Sequence, residues 1–286
     1  ARVTPKDKLR ITQLHQKRGE VVAMTGDGVN DSPSLKAANI GIAVGSGSDV
    51  AKSVADLILL DNNFATIVAT IEEGKQILSN IKKVFVYLMS NALDELILIG
   101  GAIALSIPLP LTAVQIIWVN LFAGSLPAIA FAFDRQRMRE SQRSSRQFFD
   151  PRMIFLTATV GALMSFLLLG MYALLLNNGV AVEIARSVLF ASFGAYALII
   201  AFSFLDLSRP LFTYPLLQNR ILLAGVVIGL SLMAASIYFP PLQQILGTVA
   251  LPVIWFEFVL IWLIGNVLLV EALKWFANTF LVRDAD

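Results

Sequence analysis

Residues 20–38 read EVVAMTGDGVNDSPSLKAA and contain the signals of a strand, a turn and a helix in succession. The β-branched run at 20–25 ends at Gly26, which predicts a short β-strand. The GDG sequence at 26–28 predicts a tight turn, because glycine tolerates backbone conformations that other residues avoid. Residues 31–38 then predict a short helix.

The neighbouring sequence continues this alternation. Residues 40–44 and 55–60 predict two further strands with a short helix between them, and residues 5–18 predict a helix that starts with a proline. Strands that alternate with helices imply a parallel sheet. We therefore expect residues 1–62 to form an α/β domain whose chemistry lies at the carboxyl ends of the strands.

From Asn63 onward the pattern is helical. Apolar residues recur at steps of three and four, and no proline occurs before Pro108. We expect one helix of about 40 residues, or about 60 Å at 1.5 Å per residue, running from the head into a membrane. Residues 63–83 would be its stalk.

Charged residues are concentrated near the start of the chain. Residues 1–83 hold 11 Lys and Arg and 9 Asp and Glu, which is 20 of the 42 charged residues. The whole chain is 57% hydrophobic with a mean hydropathy of +0.73. A membrane-spanning helix needs about 20 mostly apolar residues. Six stretches qualify and are apolar all round, so residues 84–286 are expected to form an all-α transmembrane bundle: 84–107, 113–133, 153–176, 187–205, 221–239 and 251–270.

The composition excludes several kinds of site. The chain has no cysteine, and its one histidine is His15, so thiol nucleophiles, zinc–thiolate centres and serine–histidine triads are excluded or disfavoured. The net charge of +2 is too small to indicate nucleic acid as a partner. The chain starts at Ala1 within a charged stretch, and we expect it to be a fragment or a processed piece.

The loops predict the membrane topology. Residues 134–152 contain six arginines, whereas residues 108–112 and 240–250 contain no Lys or Arg. Positive residues stay on the cytoplasmic side, so we expect the head, the arginine-rich loop and the C-terminus to be cytoplasmic in a multi-pass protein of the plasma membrane. The same arginines could instead bind lipid or nucleic acid. They are Arg135, Arg137, Arg139, Arg143, Arg146 and Arg152.

The turn after the first strand carries candidate chemistry. Asp27 and Asp31 lie four residues apart, and magnesium is typically held through one or two carboxylates together with waters and phosphate oxygens. Upstream, Lys8 could neutralise a phosphate. A Gly-Asp-Gly turn or a single lysine also occurs without such a role, so the pattern alone leaves phosphate chemistry as one possibility.

Residues 25–38, TGDGVNDSPSLKAA, resemble the hinge motif of the P-type ATPases, whose phosphorylation domain belongs to the haloacid dehalogenase superfamily. The RVTPKDK segment at 2–8, WVNL at 118–121 and LPA at 126–128 are similar to the type II, calcium-pump-like members. The resemblance covers essentially the whole chain, with a weaker fit between about 134 and 220. It implies a partial haloacid-dehalogenase-like cytoplasmic domain followed by six membrane helices.

The resemblance also implies residue roles. Asp27 would hold Mg²⁺, and Asp31 would support the metal indirectly. Asn30 and Asp31 would position the phosphoryl group, and Lys8 would contact it. The turn residues implied to line the cofactor site are Thr25, Gly26 and Gly28.

By the same resemblance, ATP is the substrate and its γ-phosphoryl group is transferred to the aspartate of a DKTGT motif. Hydrolysis of that aspartyl-phosphate would be coupled to cation transport. No DKTGT occurs in residues 1–286. We therefore expect the nucleophile, the nucleotide-binding domain and the first four membrane helices to lie in missing N-terminal pump domains, and this chain alone to be inactive.

Two other functions remain open at this point. The chain could be a truncated, non-catalytic membrane protein or a scaffold that binds a partner, although the intact TGDGVND motif argues against degeneration. It could also be a membrane-bound, magnesium-dependent phosphatase. That activity needs a nucleophilic aspartate at an earlier strand end, and none lies upstream of Lys8.

The first membrane helix offers a polar cluster for the transported cation. Asn91, Asp94 and Glu95 lie at i, i+3 and i+4, and acidic residues at membrane depth usually face a pathway. The resemblance places Glu95 and Asn120 on ion-site positions of the family. Calcium pumps carry Thr and Asp where this chain has alanine and glycine at 123 and 124. The ion is therefore open between calcium, another divalent ion, a monovalent ion and protons.

Overall fold

The computed structural model describes residues 3–134, 149–214 and 219–281 and divides the chain into two compact units, Ala1–Lys75 and Gln76–Asp286. Of the six arginines that predict the topology, Arg152 is described, and the five between 135 and 146 lie outside the described residues.

The N-terminal unit contains the predicted parallel sheet. Its three strands run in the order β1-β2-β3, and β2 pairs in parallel with both neighbours. The predicted strand at 20–25 begins three residues later and includes Gly26, whereas the strand at 55–60 is shorter than expected. The elements are α1 (Pro5–Lys17), β1 (Ala23–Gly26), α2 (Ser32–Ala37), β2 (Ile40–Val44), α3 (Asp49–Val54) and β3 (Leu57–Leu59), with a 3₁₀ turn at Val29–Asp31.

Helix α1 starts where its sequence predicts. The Thr4 hydroxyl accepts a hydrogen bond from the Asp7 backbone N–H, and the Asp7 carboxylate accepts from the Thr4 N–H, which is a capping box with Pro5 at the first helical position. Helix α2 packs closely on β2, since a Cβ atom at Gly41 would lie 2.7 Å from the Leu35 carbonyl oxygen. The capping box fixes the start of α1, and the close contact at Gly41 holds α2 against β2.

The long helix that the sequence predicts from Asn63 is confirmed. Helix α4 comprises 41 residues, Phe64–Ala104, without interruption. Its later part belongs to the C-terminal unit and is one of six helices in the described residues that are long and apolar enough to cross a membrane. The chain is therefore a multi-pass membrane protein with a small α/β unit at its N-terminus.

The remaining helices of the C-terminal unit follow the predicted spans, but the fourth begins five residues early, at Val182, and a π-helical segment, Val119–Gly124, interrupts the second. The last helix continues ten residues beyond the predicted end, because residues 271–280 include strong helix formers such as Glu271, Ala272 and Lys274 and no glycine or proline. A short helix that the sequence did not predict, α10, lies between the last two spans and ends at Gly247 in a left-handed conformation. The helices are α5 (Ala113–Trp118), α6 (Ser125–Ala132), α7 (Pro151–Asn177), α8 (Val182–Phe204), α9 (Arg220–Tyr238), α10 (Pro240–Leu246) and α11 (Val253–Phe280).

Helix α8 lies at the centre of the bundle. It contacts α7, α9 and α11, and most of its side chains are buried, whereas α11 exposes most of its apolar side chains. Close approach of α7 to α4 depends on Gly161. A Cβ atom there would lie 2.8 Å from the Leu93 Cβ and 3.0 Å from the Ser90 carbonyl oxygen.

A buried ion pair joins α4 to the end of α6. The Lys83 ammonium lies 2.7 Å from the Asp134 carboxylate, and the two side chains are 6% and 2% exposed. Asn80 and Gln76, on the same face of α4, donate to the Asp134 backbone carbonyl at 2.8 and 3.3 Å. One face of α4 therefore holds both the side chain and the backbone of Asp134.

Candidate functional site

The carboxyl edge of the sheet places Asp27 where the sequence predicts chemistry. Strand β1 ends at Gly26, and Asp27 follows it with an exposed side chain. Its backbone carbonyl accepts a hydrogen bond of 2.8 Å from the Ser48 N–H, in the loop after β2. A Cβ atom at Gly47 would lie 2.9 Å from that carbonyl oxygen, so the loop needs glycine there. The ends of two adjacent strands thus fix the backbone of Asp27.

Asp31 returns to the same edge through the 3₁₀ turn and contacts Lys8. Its side chain is largely buried, and its Oδ1 lies 2.6 Å from the Lys8 Nζ of α1. Its Oδ2 accepts from the Asp27 N–H at 3.4 Å. A Cβ atom at Gly26 would lie 2.5 Å from the Asp31 Cβ, so only glycine at position 26 leaves room for this carboxylate.

The other predicted residues surround this arrangement. Thr25 is half-buried in β1, where it pairs with Ile42 of β2. Gly28 caps the 3₁₀ turn, and its carbonyl accepts from the Asp31 N–H at 3.1 Å. Asn30 is exposed. The structure therefore brings Lys8, Asp27 and Asp31 together at one strand edge.

These residues fit a magnesium ion held by few protein ligands. In the described part of the chain, the Asp27 carboxylate makes no hydrogen bond or ion pair, whereas Asp31 is engaged by Lys8. No cluster of three or more metal-binding side chains occurs among the described residues. One open carboxylate with a second acidic residue behind it suits magnesium, which keeps waters and phosphate oxygens in its shell.

Two effects of opposite sign act on the pKa of Asp31. Burial raises the pKa of a carboxyl group, since it disfavours the charged form. The hydrogen bond and the positive charge of Lys8, together with the backbone N–H of Asp27, outweigh burial and hold the pKa of Asp31 below its ordinary value. The carboxylate therefore stays charged and keeps the Lys8 ammonium at the strand edge.

A Lys8→Met substitution should raise the pKa of Asp31, because burial then acts without the neighbouring positive charge. In the wild type, Asp31 stabilises the folded state above the ordinary carboxyl pKa of about 3.9, and this stabilisation is lost as the pH falls through the lower folded-state pKa. The measurement is an NMR titration of the side-chain carboxyl carbons of the whole chain in detergent micelles. Asp31→Asn assigns the Asp31 signal, and Lys6→Met is the control. An unchanged midpoint of the Asp31 titration in Lys8→Met would contradict the contact between Lys8 and Asp31.

A second polar pair lies within the bundle. The Asn120 amide donates to Glu95 Oε1 at 2.8 Å, which joins α4 to the segment between α5 and α6. Glu95 is half-buried, and Asn120 is exposed. These two of the four predicted ion-site residues lie together.

Asp94 faces a different neighbour. It is fully buried, and its Oδ1 lies 3.0 Å from the Ser165 hydroxyl of α7. Asn91 is also buried, beside the Tyr87 hydroxyl one turn earlier on α4. Asp94 and Glu95 therefore contact different parts of the bundle.

The helical geometry changes in the segment that contains Asn120. Residues Val119–Gly124 form a π-helical segment between α5 and α6, a feature that is frequent at functional sites. Pro127 cannot donate to the carbonyl four residues earlier, which belongs to Ala123. The Tyr87 hydroxyl of α4 donates to that carbonyl at 2.6 Å. The freed carbonyl is thus satisfied by a side chain.

Sequence reasoning missed the contacts of Tyr87 and Ser165. A usable signal existed for Ser165, because it lies four residues after Gly161 and shares a face with it in an otherwise apolar helix. For the π-helical segment, the sequence contains one indirect signal, the proline at 127. A proline indicates that the helix is disturbed, but it does not specify the geometry of the preceding turn.

Comparisons with known proteins agree with both units. The family model described as "Cation transporting ATPase, C-terminus" matches residues 108–276, and a haloacid dehalogenase-like hydrolase model matches residues 9–71. The calcium-transporting ATPase of Bacillus subtilis is 37% identical over 257 residues, which cover 88% of this chain and 29% of that protein.

Two further relatives are named for different ions. Calcium-transporting ATPase 1 of Bacillus cereus is 33% identical over 295 residues, covering 96% of this chain and 33% of that protein. The P-type sodium-transporting ATPase4 of Toxoplasma gondii is 46% identical over 151 residues, covering 51% of this chain and 11% of that protein. The chain spans a third or less of these relatives. With more than half of its length matched by the family model, the chain belongs to the cation-transporting P-type ATPases.

Proposed function

We propose that this chain is the C-terminal part of a pump that couples ATP hydrolysis to cation transport. The observation that carries the proposal is the strand-edge arrangement in which Asp27, with its open carboxylate, donates its backbone N–H to the Asp31 of the Lys8–Asp31 ion pair. The aspartate that accepts the phosphoryl group would lie in N-terminal pump domains outside this chain. Those domains would also bind ATP.

Each residue of the N-terminal site has a separate task. Asp27 would ligate magnesium, which when bound offsets the negative charge of the transferred phosphoryl group. Lys8, held in place by Asp31, would direct its ammonium group towards a phosphoryl oxygen. The exposed amide of Asn30 would orient the same group. Gly26 and Gly28 would let the backbone approach it closely.

In the bundle, Glu95 and Asn120 would form part of the cation path. A carboxylate and an amide oxygen suit hard cations, but calcium takes 6–8 oxygen ligands, several of them usually carboxylate. Alanine and glycine at positions 123 and 124 supply no side-chain oxygen. Since the relatives are named for calcium and for sodium, both ions are candidates for the transported cation. The proposed location is the plasma membrane, with the head and the C-terminus in the cytoplasm.

The proposal is tested with the full-length protein reconstituted in lipid vesicles. We expect ATP-dependent uptake of one cation when calcium, sodium and potassium are compared in turn. Absence of uptake and of cation-stimulated ATP hydrolysis for every cation tested would contradict the proposal and favour a non-catalytic membrane scaffold. Release of phosphate from a simple aryl phosphate without ATP would instead favour a phosphatase.

Glu95→Gln should weaken the apparent affinity for the transported cation by about tenfold or more, because a bond to a charged group is worth about 1.5–3 kcal/mol. The measurement is ATPase activity against cation concentration. Glu257→Gln is the matched control, since it neutralises an exposed carboxylate on α11, outside the Glu95–Asn120 pair. If Glu95→Gln and the wild type showed the same dependence of ATPase activity on cation concentration, the cation site would have to lie elsewhere.

A further inference from the structure

Arg152 carries a positive charge without a negative partner. It is the second residue of α7, and its Nη1 donates to the Ser208 hydroxyl at 2.8 Å and to the Asn278 amide oxygen at 3.2 Å. Both of these partners are neutral. In residues 3–134, 149–214 and 219–281, no carboxylate forms an ion pair with Arg152. Arg152 therefore joins α7 to α11 and to the segment after α8 through neutral groups alone.

The carboxylates of the same region are engaged by other cations. Glu271 lies 3.0 Å from the Lys274 Nζ, and Asp206 lies 3.4 Å from the Arg209 Nε. The charges of Arg152 and Asp206 both act on Lys274, so these groups lie in one neighbourhood. An anion from outside the chain can therefore balance the charge of Arg152.

The Arg152 guanidinium also has N–H groups to spare. A guanidinium carries five N–H donors, and the contacts with Ser208 and Asn278 use only Nη1. Nε and Nη2 have no hydrogen-bond partner in the described part of the chain, and neither of them is buried. A planar fork of open N–H groups matches two oxygens of a phosphate group.

The position of Arg152 along α7 places it at the level of lipid headgroups. Helix α7 has 27 residues and is about 40 Å long at 1.5 Å per residue, whereas the hydrocarbon core of a bilayer is about 30 Å thick. The first residues of α7 therefore extend beyond the hydrocarbon core. Asn278, near the end of α11, lies at the same level because it contacts Arg152.

An aromatic surface adjoins Arg152. Phe155 lies one turn further along α7 on the same face, and its ring centroid is 5.6 Å from that of Phe276 on α11. The Phe276 ring contacts Phe280 at 4.9 Å, and the Phe280 ring contacts Trp275 at 6.4 Å. The three rings of α11 are exposed, as is usual for aromatic side chains at a membrane interface. Acyl chains can therefore lie along these rings.

We propose that Arg152 binds the phosphate group of an anionic phospholipid whose acyl chains lie along the rings of Phe155, Phe276 and Trp275. The open N–H groups of Arg152 donate to the phosphate oxygens. The positive charge favours a headgroup with a net negative charge over phosphatidylcholine, whose choline group cancels the charge of its phosphate. A lipid fits better than a free phosphate, because its acyl chains cover the exposed rings beside Arg152. The site goes beyond the proposed cation transport and would stand if that proposal were wrong.

The test is tryptophan fluorescence of the whole chain in neutral detergent micelles, titrated with phosphatidylglycerol or phosphatidylcholine that carries bromine on its acyl chains. Bromine quenches nearby tryptophans, so Trp275 reports a lipid at this site. We expect half-maximal quenching at a concentration about tenfold lower, or less, for phosphatidylglycerol, because a charged hydrogen bond is gained. Arg152→Gln should remove this preference. Arg220→Gln, which removes an exposed arginine at the start of α9, should keep it.

A second variant keeps the test decisive if Arg152→Gln does not fold. Trp275→Phe should also remove the difference between the two lipids, because it removes the tryptophan beside the site. Equal quenching by both lipids in the wild type, or an unchanged preference in either variant, would overturn the proposal. Displacement of phosphatidylglycerol by inorganic phosphate, but not by chloride at the same ionic strength, would show that a soluble phosphate is the ligand and would overturn it too. ATP plays no part in any of these measurements.

Discussion

Asp27→Ala in the full-length protein is expected to lower magnesium-dependent ATP turnover by about 100-fold or more, the usual loss when a group that stabilises transition-state charge is removed. The backbone around Asp27 is fixed by the Ser48 N–H and by the Asp31 carboxylate. Alanine therefore removes the metal-binding carboxylate and leaves the turn in place. The measurement is ATP hydrolysis together with formation of the phosphorylated enzyme, each titrated with magnesium.

The matched control is Glu73→Ala, which removes an exposed carboxylate from α4. It should leave turnover and magnesium dependence within about twofold of the wild type, as is usual for surface substitutions. Asp27→Asn keeps the shape of the side chain, and its ATP turnover should fall mainly at low magnesium concentration. If Asp27→Ala hydrolysed ATP as fast as the wild type, magnesium would bind elsewhere. That result would contradict the proposed role of Asp27 at the strand edge.

Lys83→Met is expected to lower the free energy of unfolding of the C-terminal unit by about 1.5–3 kcal/mol, because it removes a charged hydrogen bond of 2.7 Å to the buried Asp134 carboxylate. The loss should be large even though methionine fills a similar volume. The measurement is denaturant unfolding of the whole chain in detergent micelles, followed by tryptophan fluorescence.

Two variants separate the loss of the ion pair from a general effect of charge. Lys82→Met removes the neighbouring lysine, whose contact with Asp150 is longer, at 3.4 Å, and more exposed, so it should cost much less. The double variant Lys83→Met/Asp134→Leu should recover much of the lost stability, since replacing a whole buried pair with apolar residues is often neutral. Equal losses in the two single lysine variants would show that burial of the pair is unimportant.

The sequence predicted features that depend on short-range pattern. The parallel sheet follows from strands that alternate with helices, and α4 follows from an unbroken period of three and four residues. The meeting of Asp27 with Asp31 was also predictable, because one glycine-rich turn carries both carboxylates to a strand end. The contact of Lys8 with Asp31 crosses 23 residues, and only the family resemblance implied that both serve one site.

Features that depend on packing between helices were not predictable in the same way. Spacing places Asn91, Asp94 and Glu95 on neighbouring turns, but it does not say which helix each side chain meets. The structure pairs Glu95 with Asn120 and Asp94 with Ser165, because adjacent residues on a helix point about 100° apart. The unpredicted α10 is short, and its apolar sequence resembles the end of a membrane span.

The π-helical turn at Val119–Gly124 constrains the number of residues in this segment as well as their identity. A π turn closes i→i+5 and so holds one residue more than an α-helical turn; removing one residue would restore an ordinary α-helix and abolish the widened turn, with the flanking segments nearly in register. The Ala123 carbonyl would then no longer face Tyr87, and the proline at 127 would leave a carbonyl unsatisfied inside the bundle. Natural length variation should therefore be absent between Trp118 and Pro127, even where individual side chains vary.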